Sequence, residues 1–192
     1  YEELKTADMI KPQAEELARL QERKKLPEDE EQLHSLLMME GDLIAGELPV
    51  PVEWLENLAE RELVAYMEPG IWIAAEHREE YEHALLDGNE EAAMHIVRRM
   101  LYYRGGQNAE AVRERYFFPE GLAEHILEKL AGESLVVEDE GIFYHAKIYD
   151  RARRASIKGM RLEAVTQPAS HSAALMAGRA FLSAPGEGQT RR

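Results

Sequence analysis

Apolar residues recur at helical spacing along most of this chain, and twice the spacing tightens into short strand-like runs. Pro27 is followed by Glu28, Asp29, Glu30 and Glu31, a run of carboxylates suited to the positive end of a helix dipole. Leu33, Leu36, Leu37 and Met38 then fall on one broad face, and Gly41 ends the helix. Pro51 opens a second helix, to about Arg61, with Leu55, Leu58 and Ala59 inward. There the period changes. Leu63–Met67 reads as a strand, Glu68-Pro69-Gly70 as a turn, and Ile71–Ala74 as the returning strand. A helix from about His77 to Leu86 turns Tyr81, Ala84 and Leu85 inward.

The same order follows again. Asp87-Gly88-Asn89-Glu90 has the spacing of a helix-starting box, and the helix behind it presents Ala93, Val97, Met100 and Leu101 before Gly105-Gly106. Asn108 caps a short helix to about Tyr116, and Pro119 opens another with Leu122, Ile126, Leu127 and Leu130 inside. Leu135-Val136-Val137, an acidic turn through Gly141, and Ile142-Phe143-Tyr144 make a second hairpin. A helix of about 16 residues or more starts near Ala146, by the same periodicity.

WLENLAERELV at 54–64 returns as ILEKLAGESLV at 126–136, with six of eleven positions identical. GIW and GIF open the two returning strands. The phrase is the end of one helix and the first strand behind it. Two or three helices followed by a hairpin is the order of a winged helix. The expected fold is therefore mostly α with short β-hairpins (α+β), built as tandem winged-helix units. The first unit spans 28–87 and the second 88–164, with its long C-terminal helix. Residues 1–27 read as a connector helix and linker, and 165–192 as a flexible tail.

The chain has 192 residues, 45% of them hydrophobic and 31% charged, enough to build a packed core. No apolar run approaches the roughly 18 residues of a membrane span, so no membrane partner is expected. The N-terminus lacks the pattern of a secretory signal, and the absence of cysteine excludes disulfides and thiolate chemistry, which fits a cytoplasmic setting. Because the chain starts at Tyr1 rather than Met, a piece of a longer protein is expected.

The net charge is −14, which opposes indiscriminate binding to phosphate backbones. The helices that a winged helix would normally present to a duplex are acidic outside: Glu53, Glu56, Asn57, Glu60 and Arg61 in one copy, Glu120, Glu124, His125, Glu128 and Lys129 in the other. The last helix is the exception. Lys147, Arg151, Arg154, Lys158 and Arg161 are spaced 4, 3, 4, 3 and fall on one stripe, with Arg153 beside them. Ile148, Ala152, Ala155, Gly159 and Leu162 form the adjoining stripe. Such a helix can track several phosphates, or lie against an acidic neighbour. Arg98, Arg99, Arg104, Arg113 and Arg115 are further cations, scattered over two helix ends.

No catalytic centre is recognisable. Gly105-Gly106 lacks the Lys-Ser/Thr of a phosphate loop, no H-E-x-x-H occurs, and Ser156 and Ser170 have no base nearby in sequence. Glu76, His77 and His83 read as surface or core residues rather than zinc ligands. Trp54 and Trp72 read as core or hairpin anchors, with base stacking open to whichever is exposed. No metal or cofactor is expected in this chain.

Three phrases carry a family resemblance: WLENLAERELVAYMEPGIWIAAEHREEYEHAL, VRRMLYYRGGQNAEAVRERY and YHAKIYDRARRASIKGMRLEAVTQP. In order and spacing they resemble the winged-helix region of the large helicase-related (Lhr-type) superfamily 2 helicases, over residues 30 to 168. The resemblance implies a non-catalytic region C-terminal to two RecA-like motor domains, which would hold ATP and Mg. It also implies a parent that is an ATP-dependent hydrolase acting on single-stranded or forked DNA in repair. Related regions resemble a class of DNA glycosylases, but no motif here carries that activity over. The rival readings are a protein–protein interaction module docking on helicase or repair partners, and a winged-helix transcriptional regulator.

Overall fold

Where the repeated phrase leaves its helix, both copies make the same unusual turn. The computed structural model describes residues 10–22 and 25–166. In it Glu62 and Ser134 take positive φ, 60° and 61°, a conformation that side chains with a Cβ rarely adopt. Leu63 N–H then reaches back to Leu58 O, and Leu135 N–H to Leu130 O, both at 2.9 Å. At the far end of each hairpin Ala75 N–H bonds Leu63 O and Ala146 N–H bonds Leu135 O, both at 3.0 Å. The duplicated letters encode a duplicated joint.

The described residues divide into two compact units. Leu17–Arg151 is one, and those described within Tyr1–Glu16 and Ala152–Arg192 belong to the other. The chain is mostly helical with small antiparallel sheets. Its elements are α1 (Ala14–Gln21), α2 (Glu30–Glu40), β1 (Asp42–Ile44), α3 (Val52–Glu60), β2 (Val64–Met67), β3 (Ile71–Ala74) and α4 (Arg78–Leu85). Then come α5 (Glu90–Arg104), α6 (Ala109–Tyr116), α7 (Leu122–Gly132), β4 (Val136–Asp139), β5 (Ile142–His145) and α8 (Ala146–Thr166). The outer residues of the expected connector helix (1–9, 23 and 24) and nearly all of the expected tail (167–192) lie outside the described residues.

Caps account for several boundaries. Asp29 accepts a hydrogen bond from Gln32 N at 2.8 Å, starting α2, and Asn108 accepts from Ala111 N at 2.8 Å, starting α6. The box expected at Asp87 is not formed. Asp87 bonds His83 at 2.8 Å, and Asn89 caps α5 by accepting from Ala92 N at 2.9 Å. Asn89 sits three residues before Ala92, where a short side-chain acceptor can reach a free amide. α7 begins after Gly121 rather than at Pro119, because the chain first turns through a positive φ of 85°.

β1 was not anticipated. Three residues are too few to show a period. It pairs antiparallel with β3, giving the sheet order β1-β3-β2. In the second copy only Gln107 occupies that place, exchanging bonds of 3.0 and 2.8 Å with Phe143.

The first sheet packs against apolar residues on both faces. Val64 and Ala74 point into a core with Leu33, Leu37, Leu43, Leu55 and Leu58. Ala65, Ile71 and Ile73 point the other way, into a core made by Tyr81, Ala84 and the helices of the second copy, including Ile96, Val97, Leu101, Ile126 and Leu127. Alternation along β2 and β3 feeds two cores, and Tyr66, 51% exposed, is the β2 position that reaches solvent. Met38 departs from the inward face expected for α2 and is 46% exposed.

A polar network lies beside this shared core. Asp42, 1% exposed, accepts from Tyr81 Oη at 2.5 Å and Tyr116 Oη at 2.8 Å on one oxygen. Its other oxygen takes Arg115 Nε at 2.7 Å and Nη2 at 2.6 Å. Arg115 also holds Glu47 at 2.7 Å. Arg104 donates to the Asp42 carbonyl at 2.9 Å and pairs with Glu40 at 3.3 Å, both side chains nearly buried. Arg99 pairs with Glu80 at 2.5 Å. Every acid lies before residue 88 and every arginine after it.

In the smaller unit, Ser156 Oγ donates to Ala152 O at 2.9 Å and accepts from Gln13 N at 2.7 Å. Ala152 and Ser156 are buried, whereas Gly159 and Leu162 of the expected apolar stripe are exposed. The buried line follows i, i+4 steps through Ser156, whose hydroxyl is satisfied locally and so tolerates burial.

Removing Asp42 would strand buried guanidinium and phenol groups, so Asp42→Ala should cost about 3–5 kcal/mol in urea unfolding. Tyr116→Phe, which removes a single donor, should cost about 1–2 kcal/mol. Glu62→Gly and Ser134→Gly should each stabilise by roughly 0.5 kcal/mol, since relief of the left-handed backbone exceeds the extra freedom glycine gives the unfolded chain. Unequal signs at the two sites would show that the joints are not energetically equivalent.

Candidate nucleic-acid interface

α8 forms over the expected range, and its phase sets the positions of its cations. Lys147, Arg151, Arg154, Lys158 and Arg161 are all exposed, and Arg153 is half-buried. The division between the compact units falls within this helix, after Arg151. Lys147 and Arg151 belong to the larger unit and the other four cations to the smaller.

α3 and α7 present the acidic faces read from the sequence. Glu53, Glu56 and Glu60 are exposed on α3, where Asn57 donates to Glu30 at 2.8 Å and Arg61 reaches Glu31 at 3.4 Å. Glu124 and Glu128 are exposed on α7, with Glu120 exposed just ahead of it, while Lys129 and His125 are drawn onto Glu90. The few cations on these faces already hold carboxylates, so neither face offers a phosphate a free positive group.

The scattered arginines have separate roles. Arg104 and Arg115 are committed to the network around Asp42, and Arg113 pairs with Glu110 at 3.1 Å. Arg99 is held by Glu80 and also donates to Tyr81 Oη at 3.2 Å. Arg98 is half-buried and has no carboxylate partner among the described residues. It lines a pocket of about 310 Å³ together with Arg99, Tyr102 and Tyr103 of α5, His145 of β5 and Met39 of α2.

Sequence reasoning missed Tyr102, Tyr103 and His145. The tyrosines stand one helical turn beyond Arg98 and Arg99, and that i, i+4 relation was a usable signal. His145 arrives from a hairpin more than forty positions away, and no local pattern could place it there.

The His145 ring is buried and lies edge-to-face with Tyr102, centroids 4.9 Å apart. Burial, with the positive charges of Arg98 and Lys147, pushes its pKa down to about 4. Its Nδ1 accepts the Lys147 backbone N–H at 3.1 Å, so in the neutral ring the proton sits on Nε2.

The other described histidines have separate partners. His77 contacts Met38 O at 2.7 Å, His34 contacts Glu76 at 3.2 Å, and His83 bonds Asp87. Among the described residues, no group of three acidic or histidine side chains could hold a metal ion. No described helix is long and apolar enough to cross a membrane. Trp72 is half-buried against Tyr66, ring centroids 5.1 Å apart, and Trp54 packs on the first core.

No protein-family model matches the chain, and no curated protein gives a significant match.

The depressed pKa of His145 has a defined consequence for stability. The unfolded chain takes up a proton near pH 6.5, whereas the folded chain resists it until about 4. The folded state is therefore favoured above 6.5 and loses stability as the pH falls through that interval. Wild-type protein should lose about 1–3 kcal/mol more than His145→Asn between pH 7 and pH 4.5 in urea titrations. Equal losses would show that the ring does not resist protonation.

Proposed function

We propose that this chain is a tandem winged-helix region that guides DNA within an Lhr-type ATP-dependent helicase, and is itself non-catalytic. In this reading α2 to β3 form the first winged helix, α5 to β5 the second, and the hairpins are the wings. Support for the tandem architecture comes from the repeated joint, the matched back-bonds and the place shared by β1 and Gln107. Motor domains outside these residues would bind ATP and Mg, and the strand would be single-stranded or forked DNA.

The observation that carries the proposal is the row of exposed cations on α8, on a chain of net charge −14 whose α3 and α7 present acidic faces. A polyanion would be steered away from α3 and α7 and towards α8. The acidic faces suit contacts with the motor domains or with basic protein partners.

Anisotropy titrations with single-stranded, forked and duplex oligonucleotides test this reading. Arg151→Glu/Arg154→Glu/Lys158→Glu should weaken binding at least tenfold at about 0.1 M salt. It should also flatten the slope of log affinity against log salt by roughly 2, since each lost contact to a single strand removes about 0.7. An unchanged slope and affinity would take DNA off α8. Binding of an acidic protein partner in place of DNA would favour the docking-module reading.

A further inference from the structure

The pocket beside Arg98 brings a half-buried arginine together with two tyrosines and a histidine. Arg98, Arg99, Arg104, Arg113 and Arg115 are the larger unit's half-buried arginines on α5 and α6. The other four hold carboxylates, at distances between 2.5 and 3.3 Å. On so acidic a chain, a half-buried guanidinium without an acid is the exception. Arg98 also lines a neighbouring cavity with Glu90, Glu91 and Glu133 and forms an ion pair with none of them, so an anion entering from outside would find its guanidinium unpaired.

The walls around Arg98 are aromatic. Tyr102 meets Tyr103 edge-to-face with centroids 4.8 Å apart, and meets His145 in the same way at 4.9 Å. Tyr102 is thus held from two sides, which fixes the ring before any ligand arrives. His145 contributes Nε2–H, to which no hydrogen bond is made among the described residues, because its other nitrogen is engaged by Lys147 N–H. Arg99 brings little net charge, since Glu80 neutralises it.

These groups select a ligand class. A small inorganic anion would use Arg98 and leave the tyrosines idle. An apolar ligand would use the rings and leave the guanidinium uncompensated. A nucleotide uses both, with a base against the aromatic rings and a phosphate on the guanidinium. The volume of about 310 Å³ is at the small end of ligand pockets, enough for one such unit and not for a duplex.

We infer that this pocket is a nucleotide subsite, taking one unstacked base against Tyr102 and Tyr103 with its phosphate on Arg98 and a polar edge on His145. As a subsite for a strand it rests on the DNA reading above, and adds that the larger unit grips one base directly rather than only steering the backbone.

The test titrates the full chain separately with deoxyadenosine monophosphate and with inorganic phosphate, following the His145 ring resonance by NMR. The nucleotide should shift that resonance saturably, and inorganic phosphate should need at least tenfold higher concentration. Arg98→Glu and Tyr103→Leu should each weaken the nucleotide response at least tenfold while the amide spectrum stays dispersed. If Tyr103→Leu fails to fold, Tyr103→Phe should retain the response, because stacking needs the ring and not the hydroxyl. Absence of a saturable shift, equal potency of phosphate, or indifference to Arg98→Glu would each overturn the proposal.

The two readings fail separately. Charge reversal on α8 should leave the mononucleotide titration unchanged while weakening oligonucleotide binding at least tenfold. Oligonucleotide binding with no mononucleotide shift would overturn the subsite alone. A mononucleotide shift without oligonucleotide binding would overturn the DNA reading and keep the pocket as a nucleotide site.

Discussion

A single carboxylate organises the larger unit. Asp42 is buried at the start of β1, and four donor contacts converge on it from Tyr81, Tyr116 and Arg115. A buried charge is tolerable only when it is met this completely. Meeting it dictates the surroundings. Gly41 must lack a side chain, because a Cβ there would lie 2.5 Å from both Arg99 Nε and Tyr81 Oη. The phenols of Tyr81 and Tyr116 are held well above their ordinary pKa by burial and by the adjacent carboxylate. For Glu47, burial alone would raise the pKa. The hydrogen bond and charge of Arg115, with Arg104 beyond, outweigh it and bring the carboxyl below its usual range. That ion pair therefore contributes at neutral pH, and its contribution fades as pH falls through the carboxylate range.

Complementary charge also fixes how the stretch before residue 88 meets the stretch after it. The acids Glu40, Asp42, Glu47 and Glu80 face the arginines 99, 104 and 115, and a shift in docking would leave several of them buried and unpaired. Apolar packing alone is less selective, because it tolerates small displacements that hydrogen-bond geometry does not. In this unit the apolar contacts supply the driving force, and the ionic ones choose among ways of satisfying it.

The helices and hairpins were legible because each carries a period or a stop signal. Leu55 and Leu58, Val97 and Leu101, and Ile126 and Leu130 all lie inside as their spacing requires. The related phrases marked where two helices end and strands begin, and the structure gives both places the same joint at Glu62 and Ser134. Features made by distant pairing were not legible. β1 is too short to display alternation, Gln107 is one residue, and Asp42 reads as an ordinary acid after a helix-ending glycine. The same limit applied to function. The α8 row is a property of one helix and appears in the letters. The pocket needs β5 and α2 to close over α5, so only half of its wall was visible. Arg104 and Arg115 could not be told from surface cations without their acids.

The sheet that serves two cores has a consequence for how this region can be divided. Ile71, Ile73 and Tyr81 are almost completely shielded from water, and the helices of the later copy complete the core around them. Cutting the chain between the repeats would bare those side chains, and each large aliphatic or aromatic one contributes about 1.5–3 kcal/mol when covered. The two stretches that carry the related phrases thus share one core, and separating them would expose it to water.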